Sequence, residues 1–192
     1  ADVIGTVMLA LGKLRDAGVG EDPWSWTLQK RLVERLLAHR DTKEHGLWEM
    51  RGEPAFFTHG RVMMWAALDQ ALHAARDHGL PARDDELEAW ERAREELREE
   101  ILTEGVDEDG AFRQTYGSTE TDASLLQIPH TGFVPHDDPH MLATVARVEE
   151  DLVTQTGLVM RYRATGMDGL PGEEAPFIMC AFWLVEQYAR SG

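Results

Sequence analysis

A loop in the first third of the chain reads Gly46-Leu47-Trp48-Glu49-Met50-Arg51-Gly52-Glu53-Pro54. It has no helical period, whereas the stretches on both sides of it do. In this loop the carboxylate of Glu49 stands between the indole of Trp48 and the guanidinium of Arg51. Indole faces stack on the C–H surfaces of pyranose rings, Arg donates to ring hydroxyls, and a carboxyl held against Trp has its neutral form favoured. The pattern favours a sugar-binding loop with a general acid, and the alternative is a structural loop with a surface ion pair.

Two amphipathic helices are predicted before this loop. Apolar residues recur at helical spacing up to Gly18, and Asp22-Pro23 then supplies an N-cap and a first-turn proline for the second helix. The residues on the predicted apolar faces are Val3, Ile4, Val7, Met8, Leu11 and Leu14 in the first helix and Leu28, Leu32 and Leu36 in the second.

Five helical segments are predicted after the loop. Thr58 can cap the first of them, which stops near Gly79, and Asp84 or Asp85 starts the next, which runs to Gly105. A turn-rich excursion is predicted over 107–117, and a short helical segment over 123–128 is ended by Pro129. Asp138-Pro139 then opens a helix, residues 158–163 alternate like a strand, and a final helix is predicted over about 175–189. About seven helices with long loops and no repeat of fixed period predict an all-α fold, with helical pairs stacked in a ring or solenoid and one helical domain over residues 1–192.

The composition is that of a folded protein with a negative surface. Apolar residues make up 43% of the 192 residues and charged residues 28%, which is too apolar for a disordered chain. The formal net charge of −16 would repel phosphate backbones and anionic lipid, so neither nucleic acid nor a membrane is an expected partner. The single cysteine, Cys180, lies in an apolar run and fits a reducing, cytoplasmic compartment.

A second loop, late in the chain, carries two adjacent carboxylates. It reads Gly169-Leu170-Pro171-Gly172-Glu173-Glu174-Ala175-Pro176-Phe177 and leads into the final helix. Glu174 would lie near the N-terminus of that helix, where the macrodipole favours the charged carboxylate that a general base must be. The first loop therefore favours a protonated Glu49, whereas the second favours an ionised Glu174. In the alternative interpretation, Glu173 and Glu174 only decorate a helix start.

Several separated motifs together resemble one enzyme family. They are Gly46-Leu47-Trp48-Glu49-Met50-Arg51-Gly52 with Phe57-Thr58-His59, Tyr116-Gly117-Ser118, Asp122-Ala123-Ser124-Leu125-Leu126, Gly132-Phe133, Tyr162-Arg163, and Asp168-Gly169-Leu170-Pro171-Gly172 with Glu174 and Phe177. The chain resembles the glucoamylase-type glycoside hydrolases, family 15, which include glucoamylases, glucodextranases and bacterial trehalases. The motifs run in order over almost the whole chain.

This resemblance implies an (α/α)6 toroid, of which the chain supplies only the later helices, and hydrolysis with inversion at the anomeric carbon. By position, Glu49 is the implied general acid and Glu174 the implied general base. Family members usually have glycine before the base, whereas this chain has Glu173, which is a minor competitor and could raise the pKa of Glu174 by like-charge repulsion. An inverting pair needs carboxyl groups roughly 6.5–9.5 Å apart. The residues expected to shape the glucose subsite, or else to serve in packing and ion pairs, are Trp48, Arg51, Tyr116, Tyr162 and Arg163.

The substrate and partners follow from the same resemblance. The expected substrate is a small carbohydrate, an α-glucoside, and the sequence leaves open α-1,4-glucan, α-1,6-glucan and α,α-trehalose. An Arg-Asp pair from the front half of the family's barrel has no counterpart here, which suggests a fragment of a longer enzyme. An open half-barrel would expose apolar helix faces and so bind the remainder of the barrel or self-associate. A noncatalytic carbohydrate-binding or assembly fragment is the alternative from another class.

No metal or cofactor is expected from the sequence. Asp107-Glu108-Asp109-Gly110 resembles the opening of a calcium loop, but Ser118 stands where the closing acidic residue belongs, so a plain turn is predicted. His136 and His140 are four residues apart with Pro139 between them, which disfavours a regular metal-binding face. Five tryptophans in helical stretches are predicted to be core residues, namely Trp24, Trp26, Trp65, Trp90 and Trp183.

Overall fold

The computed structural model describes residues 2–163 and 175–192, and this part of the chain is helical. Its elements are α1 (Asp2–Asp16), α2 (Pro23–Ala38), α3 (Thr58–Arg76), α4 (Asp84–Glu104), a 3₁₀ segment (Ala123–Thr131), α5 (Pro139–Leu152) and α6 (Ile178–Ser191). Only isolated β-bridges join extended residues within the described ranges. The all-α class predicted from the sequence is therefore confirmed.

The chain divides into two compact units. The first comprises Ala1–Thr42 and Gly60–Glu100, and the second comprises Lys43–His59 and Ile101–Gly192. Each unit has its own packed interior, and the single domain predicted over residues 1–192 stays a prediction.

The first unit is built from α1, α2 and most of α3 and α4. Asp22 caps α2 as predicted, because its side chain accepts hydrogen bonds from the backbone N–H groups of Trp24 and Ser25. Inside the unit the rings of Trp26 and Trp90 meet edge to face, with centroids 6.3 Å apart. The indole N–H of Trp26 donates to the Pro81 carbonyl at 2.9 Å, so the buried polar atom is satisfied.

The buried face of α1 is the face that lies close to α3, and it differs from the apolar stripe predicted from the sequence. Its buried residues are Gly5, Met8, Gly12 and Arg15. A Cβ added at Gly5 would lie 2.5 Å from the carbonyl oxygen of Met63, so only glycine lets α1 and α3 come this close. Val3, predicted on the apolar face, is instead 70% exposed.

The core of the second unit lies under α5, α6 and the 3₁₀ segment. Its fully buried members include Leu126, Leu152 and Cys180, and the predicted burial of this cysteine is confirmed. Asp138 caps α5 by accepting a hydrogen bond from the His140 N–H, and the helix start predicted at Asp138-Pro139 is confirmed. The 3₁₀ segment is buried along most of its length, so the connections between helices form part of this core.

Two predicted helix boundaries and one predicted strand-like stretch in the second unit differ from the structure. Pro129 lies inside the 3₁₀ segment rather than ending the helical stretch, since its fixed φ suits helical backbone, and Gly132 at φ +82° ends the segment instead. α6 begins at Ile178, because Pro176 disfavours helical backbone at the residue before it and Phe177 is extended. The strand-like stretch over 158–163 forms only the bridges Val153↔Val159 and Asp122↔Tyr162.

Side-chain burial corrects further predictions. Trp24 is 85% exposed, because α2 buries the face formed by Trp26, Gln29, Val33 and Leu36. Of the predicted apolar stripe, Leu36 is buried as expected, whereas Leu28 is 56% exposed. Trp26, Trp65 and Trp90 are buried as predicted, and Trp183 is half-buried. The Thr58 hydroxyl finds no hydrogen-bond partner among the described residues, so its side chain does not cap α3. No described helix has both the length and the apolar character needed to cross a membrane.

Candidate active site

The loop that contains Glu49 is closed at its base by a short backbone bridge. The N–H of Glu44 donates to the carbonyl of Ala55 at 3.0 Å, and the N–H of Ala55 donates back to Glu44 at 2.9 Å. Inside this closure a tight turn forms, because the N–H groups of Glu49 and Met50 donate to the carbonyls of Gly46 and His45. The residues between 44 and 55 thus form a loop of fixed shape, which we call the acid loop.

Glu49 has left-handed backbone geometry. Its φ is +50°, and it is the one non-glycine residue with positive φ in the described part of the chain. Such backbone costs an L-residue about 1–2 kcal/mol, because Cβ crowds the following carbonyl oxygen. Strained residues of this kind concentrate where a side chain must be presented for function. The Glu49 side chain is exposed, and none of the described residues donates a hydrogen bond to its carboxylate.

Gly46 sets the start of the turn. It has φ +69°, and a Cβ at this position would lie 2.6 Å from the ring of Phe57. Both observations require glycine, since a side chain would be strained in its backbone and would clash with the buried ring. The conformation of Glu49 therefore depends on a glycine three residues before it.

Trp48 anchors the acid loop to the core of the second unit. Its indole N–H is shared between the two carboxylate oxygens of Asp122, at 2.9 and 3.0 Å. Its ring packs against Trp183, with centroids 6.0 Å apart, and against Phe177 at 6.2 Å. The Arg161 guanidinium lies 5.6 Å from the ring centroid, within reach of a cation–π interaction. The Trp48 side chain is thus held within protein contacts, and its proposed place in a glucose subsite stays a prediction.

Asp122 is the buried acceptor on which this arrangement depends. It is 1% exposed and accepts hydrogen bonds from three groups: the Trp48 indole, the Gln114 amide at 3.0 Å and the Ser124 backbone N–H at 2.7 Å. A buried carboxylate is tolerated only when it is paired in this way. The sequence placed Asp122 in a family motif but gave it no role, and the available signal for one was its position as N-cap of the segment that begins at Ala123.

Glu49 and Arg51 line one open cleft. The cleft has a volume of about 490 Å³, and its other lining residues are Glu44, His45, Gly46 and Met50. The carboxylate of Glu49 is therefore accessible to a molecule from solvent, with a guanidinium on the same wall. Charged donors and a carboxylic acid at one concave surface can bind hydroxyl groups and deliver a proton.

The other predicted subsite residues occupy different surroundings within the described part of the second unit. Tyr116 is half-buried with its ring 6.0 Å from that of Phe56. Tyr162 is 4% exposed. Arg163 makes a two-point ion pair with Glu120, both N–O distances being 2.9 Å, and lies 3.3 Å from Asp151. Among the described residues, the structure brings Arg51 to the cleft around Glu49 but not these three.

Glu174, the predicted general base, and its neighbour Glu173 lie outside the described residues. The described chain resumes at Ala175, and α6 begins at Ile178. The distance between the carboxyl groups of the predicted pair therefore stays a prediction.

The residues weighed earlier as metal ligands are engaged with protein groups. Asp107 accepts hydrogen bonds from the N–H groups of Asp109 and Ala111, so a turn forms here, and Arg147 pairs with Asp109 at 2.8 Å. His136 lies 3.1 Å from the Gln187 side-chain oxygen, and His140 lies 2.8 Å from the carbonyl of Gly110. A different group, in the first unit, brings Asp16, His73 and His78 together.

Curated relatives of the chain carry trehalase names. The chain is 41% identical over 168 residues to a trehalase of Mycobacterium tuberculosis, covering 87% of this chain and 24% of that protein. It is 34% identical over 186 residues to a trehalase of Thermoplasma volcanium, covering 96% of this chain and 29% of that protein. The chain thus spans about a quarter of the length of these relatives.

Solved structures and a family model agree on the type of fold. A glycosidase variant in complex with glucose matches with a TM-score of 0.81 at 24% identity, over 100% of this chain and 49% of that chain. This likeness confirms the glycosidase-type helical fold expected from the sequence. The model of Glycosyl hydrolases family 15 matches residues 1–192. On these grounds the chain belongs to glycosyl hydrolase family 15.

Proposed function

We propose that the chain forms part of an inverting α-glucoside hydrolase whose substrate is α,α-trehalose. The observation that carries this proposal is the likeness to proteins named trehalase, at 41% identity over 87% of the chain for one of them. Trehalose was the alternative substrate in the sequence interpretation, and this likeness supports it better than a glucan substrate.

Glu49 is the proposed general acid. Its carboxylate is exposed in a cleft, and the acid loop holds it in a backbone geometry that an L-residue adopts only at a cost. In the reaction Glu49 donates its proton to the glycosidic oxygen that joins the two glucose units. The bond from that oxygen to the anomeric carbon then breaks, and one glucose leaves with the proton.

Glu174 is the proposed general base, as the family resemblance implies. It takes a proton from a water molecule on the opposite ring face while the oxygen of that water bonds to the anomeric carbon, so the configuration there inverts. Arg51 is proposed to bind sugar hydroxyls, because it shares the cleft with Glu49. Trp48 is proposed to act beside them, while Tyr116, Tyr162 and Arg163 stay candidates for the same subsite.

The proposed partner of the chain is the remaining part of the same barrel. α6 presents an apolar face to solvent that includes Phe182 at 63% and Val185 at 58% exposure, with Ile178 and Met179 beside them. Exposed apolar surface of this kind marks an interface. The matched glycosidase chains are about twice as long as this chain, which covers 49% of them, so a second barrel segment is the occupant we propose.

A substrate panel tests the proposed reaction. The full-length protein is given trehalose, maltose and an α-1,6-linked glucose disaccharide, and the products are followed by proton NMR. We expect trehalose to be cleaved fastest, with β-glucose and α-glucose released in equal amounts at first, because inversion affects only the anomeric carbon that water attacks. Faster cleavage of either of the other two disaccharides would contradict the proposal that trehalose is the substrate. Initial release of α-glucose alone from trehalose would contradict inversion.

Two matched variants test the acid. Glu49→Gln removes the transferable proton and should lower kcat about 10²–10⁴-fold, the contribution typical of a general acid. Glu53→Gln changes an exposed glutamate of the same loop and should leave kcat within about twofold. Equal effects of the two substitutions would contradict the assignment of Glu49. Tight binding of a glucose-like inhibitor without turnover of any disaccharide would instead support the noncatalytic alternative.

A further inference from the structure

One carboxylate and two imidazoles, side chains of the types that bind metal ions, meet at one end of the first unit. Asp16 is the last residue of α1, His73 lies in the last turn of α3, and His78 follows the end of α3. Gly79, at φ +66°, turns the chain just after His78, and the Leu80 N–H donates to the Ala74 carbonyl at 3.1 Å. This turn folds His78 back beside His73, so that their rings lie edge to face with centroids 4.9 Å apart.

Three ligand atoms form a nearly equilateral triangle. The Oδ1 atom of Asp16 is 3.0 Å from Nε2 of His73 and 2.9 Å from Nε2 of His78, and the two Nε2 atoms are 3.3 Å apart. Ligands held about 2.1 Å from one ion at right angles are about 3.0 Å from each other, and those in a tetrahedron about 3.4 Å. The observed spacing lies in this range, so an ion about 1 Å above the triangle would reach all three atoms with small movements.

Asp77 fixes the orientation of one ligand. Its Oδ2 atom is 2.6 Å from Nδ1 of His73, on the side of the ring away from the triangle. An Nδ1–H that donates to this carboxylate leaves the lone pair of Nε2 facing Asp16 and His78. A carboxylate behind a histidine ligand in this way is the usual support of a zinc-bound imidazole.

The local charge also suits a cation. Asp16 and Asp77 contribute two negative charges. The nearby arginines already have carboxylate partners: Arg76 pairs with Glu91 at 2.9 Å, and Arg94 pairs with Asp69 at 3.0 Å. The side chains of His73 and His78 are 33% and 28% exposed, so an ion can enter and keep water on its outer positions.

We propose that Asp16, His73 and His78 bind a divalent transition-metal ion, zinc foremost, with Asp77 as a positioning residue for His73. Without an ion, the imidazoles of His73 and His78 both contact one carboxylate oxygen, Oδ1 of Asp16. The bound ion replaces the shared protons and joins the C-terminal ends of α1 and α3. The site belongs to the first unit and does not depend on the function proposed for the acid loop.

Zinc titration of the metal-depleted protein tests the site. The protein is treated with EDTA, the chelator is removed, and zinc is added in competition with a chromophoric chelator of known affinity. We expect one zinc per chain at this site, with the imidazole ¹⁵Nε2 resonances of His73 and His78 shifting on binding. His78→Ala and Asp16→Asn should abolish that binding, and Asp77→Asn should weaken it about 10–100-fold.

His39→Ala is the matched control. His39 is an exposed histidine of the same unit, bonded through Nδ1 to the Arg35 carbonyl, and its removal should leave the zinc affinity unchanged. Unchanged circular dichroism of His78→Ala shows that the fold survives, and Asp16→Asn gives an independent second test. Absence of stoichiometric zinc binding overturns the proposal, as does zinc affinity that is equal in the unaltered protein and in His78→Ala.

Discussion

Asp122 and Glu49 are carboxylates of the same unit with opposite environments. Asp122 is buried and accepts hydrogen bonds from three groups, whereas Glu49 is exposed and carries a positive φ. Trp48 connects them, because it precedes Glu49 in sequence and donates its indole N–H to Asp122. The difference teaches that a loop can present an exposed carboxylate to solvent when the residue next to it is firmly held by the core.

The largest expected effect comes from removing the buried acceptor. Asp122→Ala leaves the indole of Trp48, the amide of Gln114 and the N–H of Ser124 without a partner, at about 1–3 kcal/mol for each unsatisfied group. We expect the free energy of unfolding to fall by about 3–5 kcal/mol, measured by urea denaturation. A loss below about 1 kcal/mol would mean that Asp122 does not hold the acid loop.

Trp48→Phe tests the connection itself. Phenylalanine keeps an aromatic ring, smaller than the indole, to pack against Trp183 and Phe177, but the N–H that donates to Asp122 is lost. A hydrogen bond to a charged group contributes about 1.5–3 kcal/mol, so we expect a loss of that size in the same denaturation experiment. In a double-mutant cycle, Trp48→Phe should cost less in the Asp122→Ala background, and additive losses would break the proposed link.

The strain at Glu49 can be measured with two small substitutions. Glycine adopts φ +50° freely and alanine does not, so Glu49→Gly should be more stable than Glu49→Ala by about 1 kcal/mol. At a loop position with negative φ, a glycine variant is less stable than an alanine variant, because glycine gives the unfolded chain more conformational entropy. An alanine variant as stable as the glycine variant would show that the backbone at this position is unstrained.

The smallest effect concerns a third carboxylate, Glu149, which accepts a hydrogen bond from Tyr188 near the surface. Burial raises the pKa of Tyr188 to about 12, and this hydrogen bond acts in the same direction. The ordinary pKa of about 10 holds in the unfolded chain, so the stabilisation is complete below pH ~10 and is lost as the pH rises towards 12.

Absorbance at 295 nm checks this expectation. The difference between the unaltered protein and Tyr188→Phe should contain a phenolate titration near pH 12. A midpoint near pH ~10 would show that Glu149 and the surroundings of Tyr188 leave the pKa of its phenol at the ordinary value.

Local chemistry made much of the fold predictable from the sequence. Asp22 was predicted to cap α2 and Asp138-Pro139 to open α5, because aspartate before proline is typical of a helix start, and the structure confirms both starts. The buried face of α1 was not predictable, because it depends on how closely Met63 approaches Gly5, a contact between residues far apart in sequence. Trp24 was placed wrongly for a related reason, since periodicity does not say which side of a helix meets the core.

The candidate site was predictable only in part. The Trp48-Glu49-Arg51 pattern predicted the acid loop from adjacent residues, and the structure places Glu49 and Arg51 at one cleft, while their chemistry stays a proposal. The role of Asp122 depends on a contact with Trp48 across 74 positions of sequence. The positive φ of Glu49 depends on the turn that Gly46 starts, and a glycine at the start of a turn does not tell which later residue takes a positive φ. Asp16, His73 and His78 likewise meet only after α1 and α3 have packed, which is why spacing rules did not find them.

Arg147 gives the acidic turn at Asp107 a built-in counter-charge, since its guanidinium reaches the carboxylates of both Asp107 and Asp109. A cation that is covalently part of the chain cannot be stripped by a chelating agent. This turn should therefore keep its shape in EDTA. A structural change that EDTA causes in the protein is expected instead at Asp16, His73 and His78, where the proposed positive charge is an ion from solution.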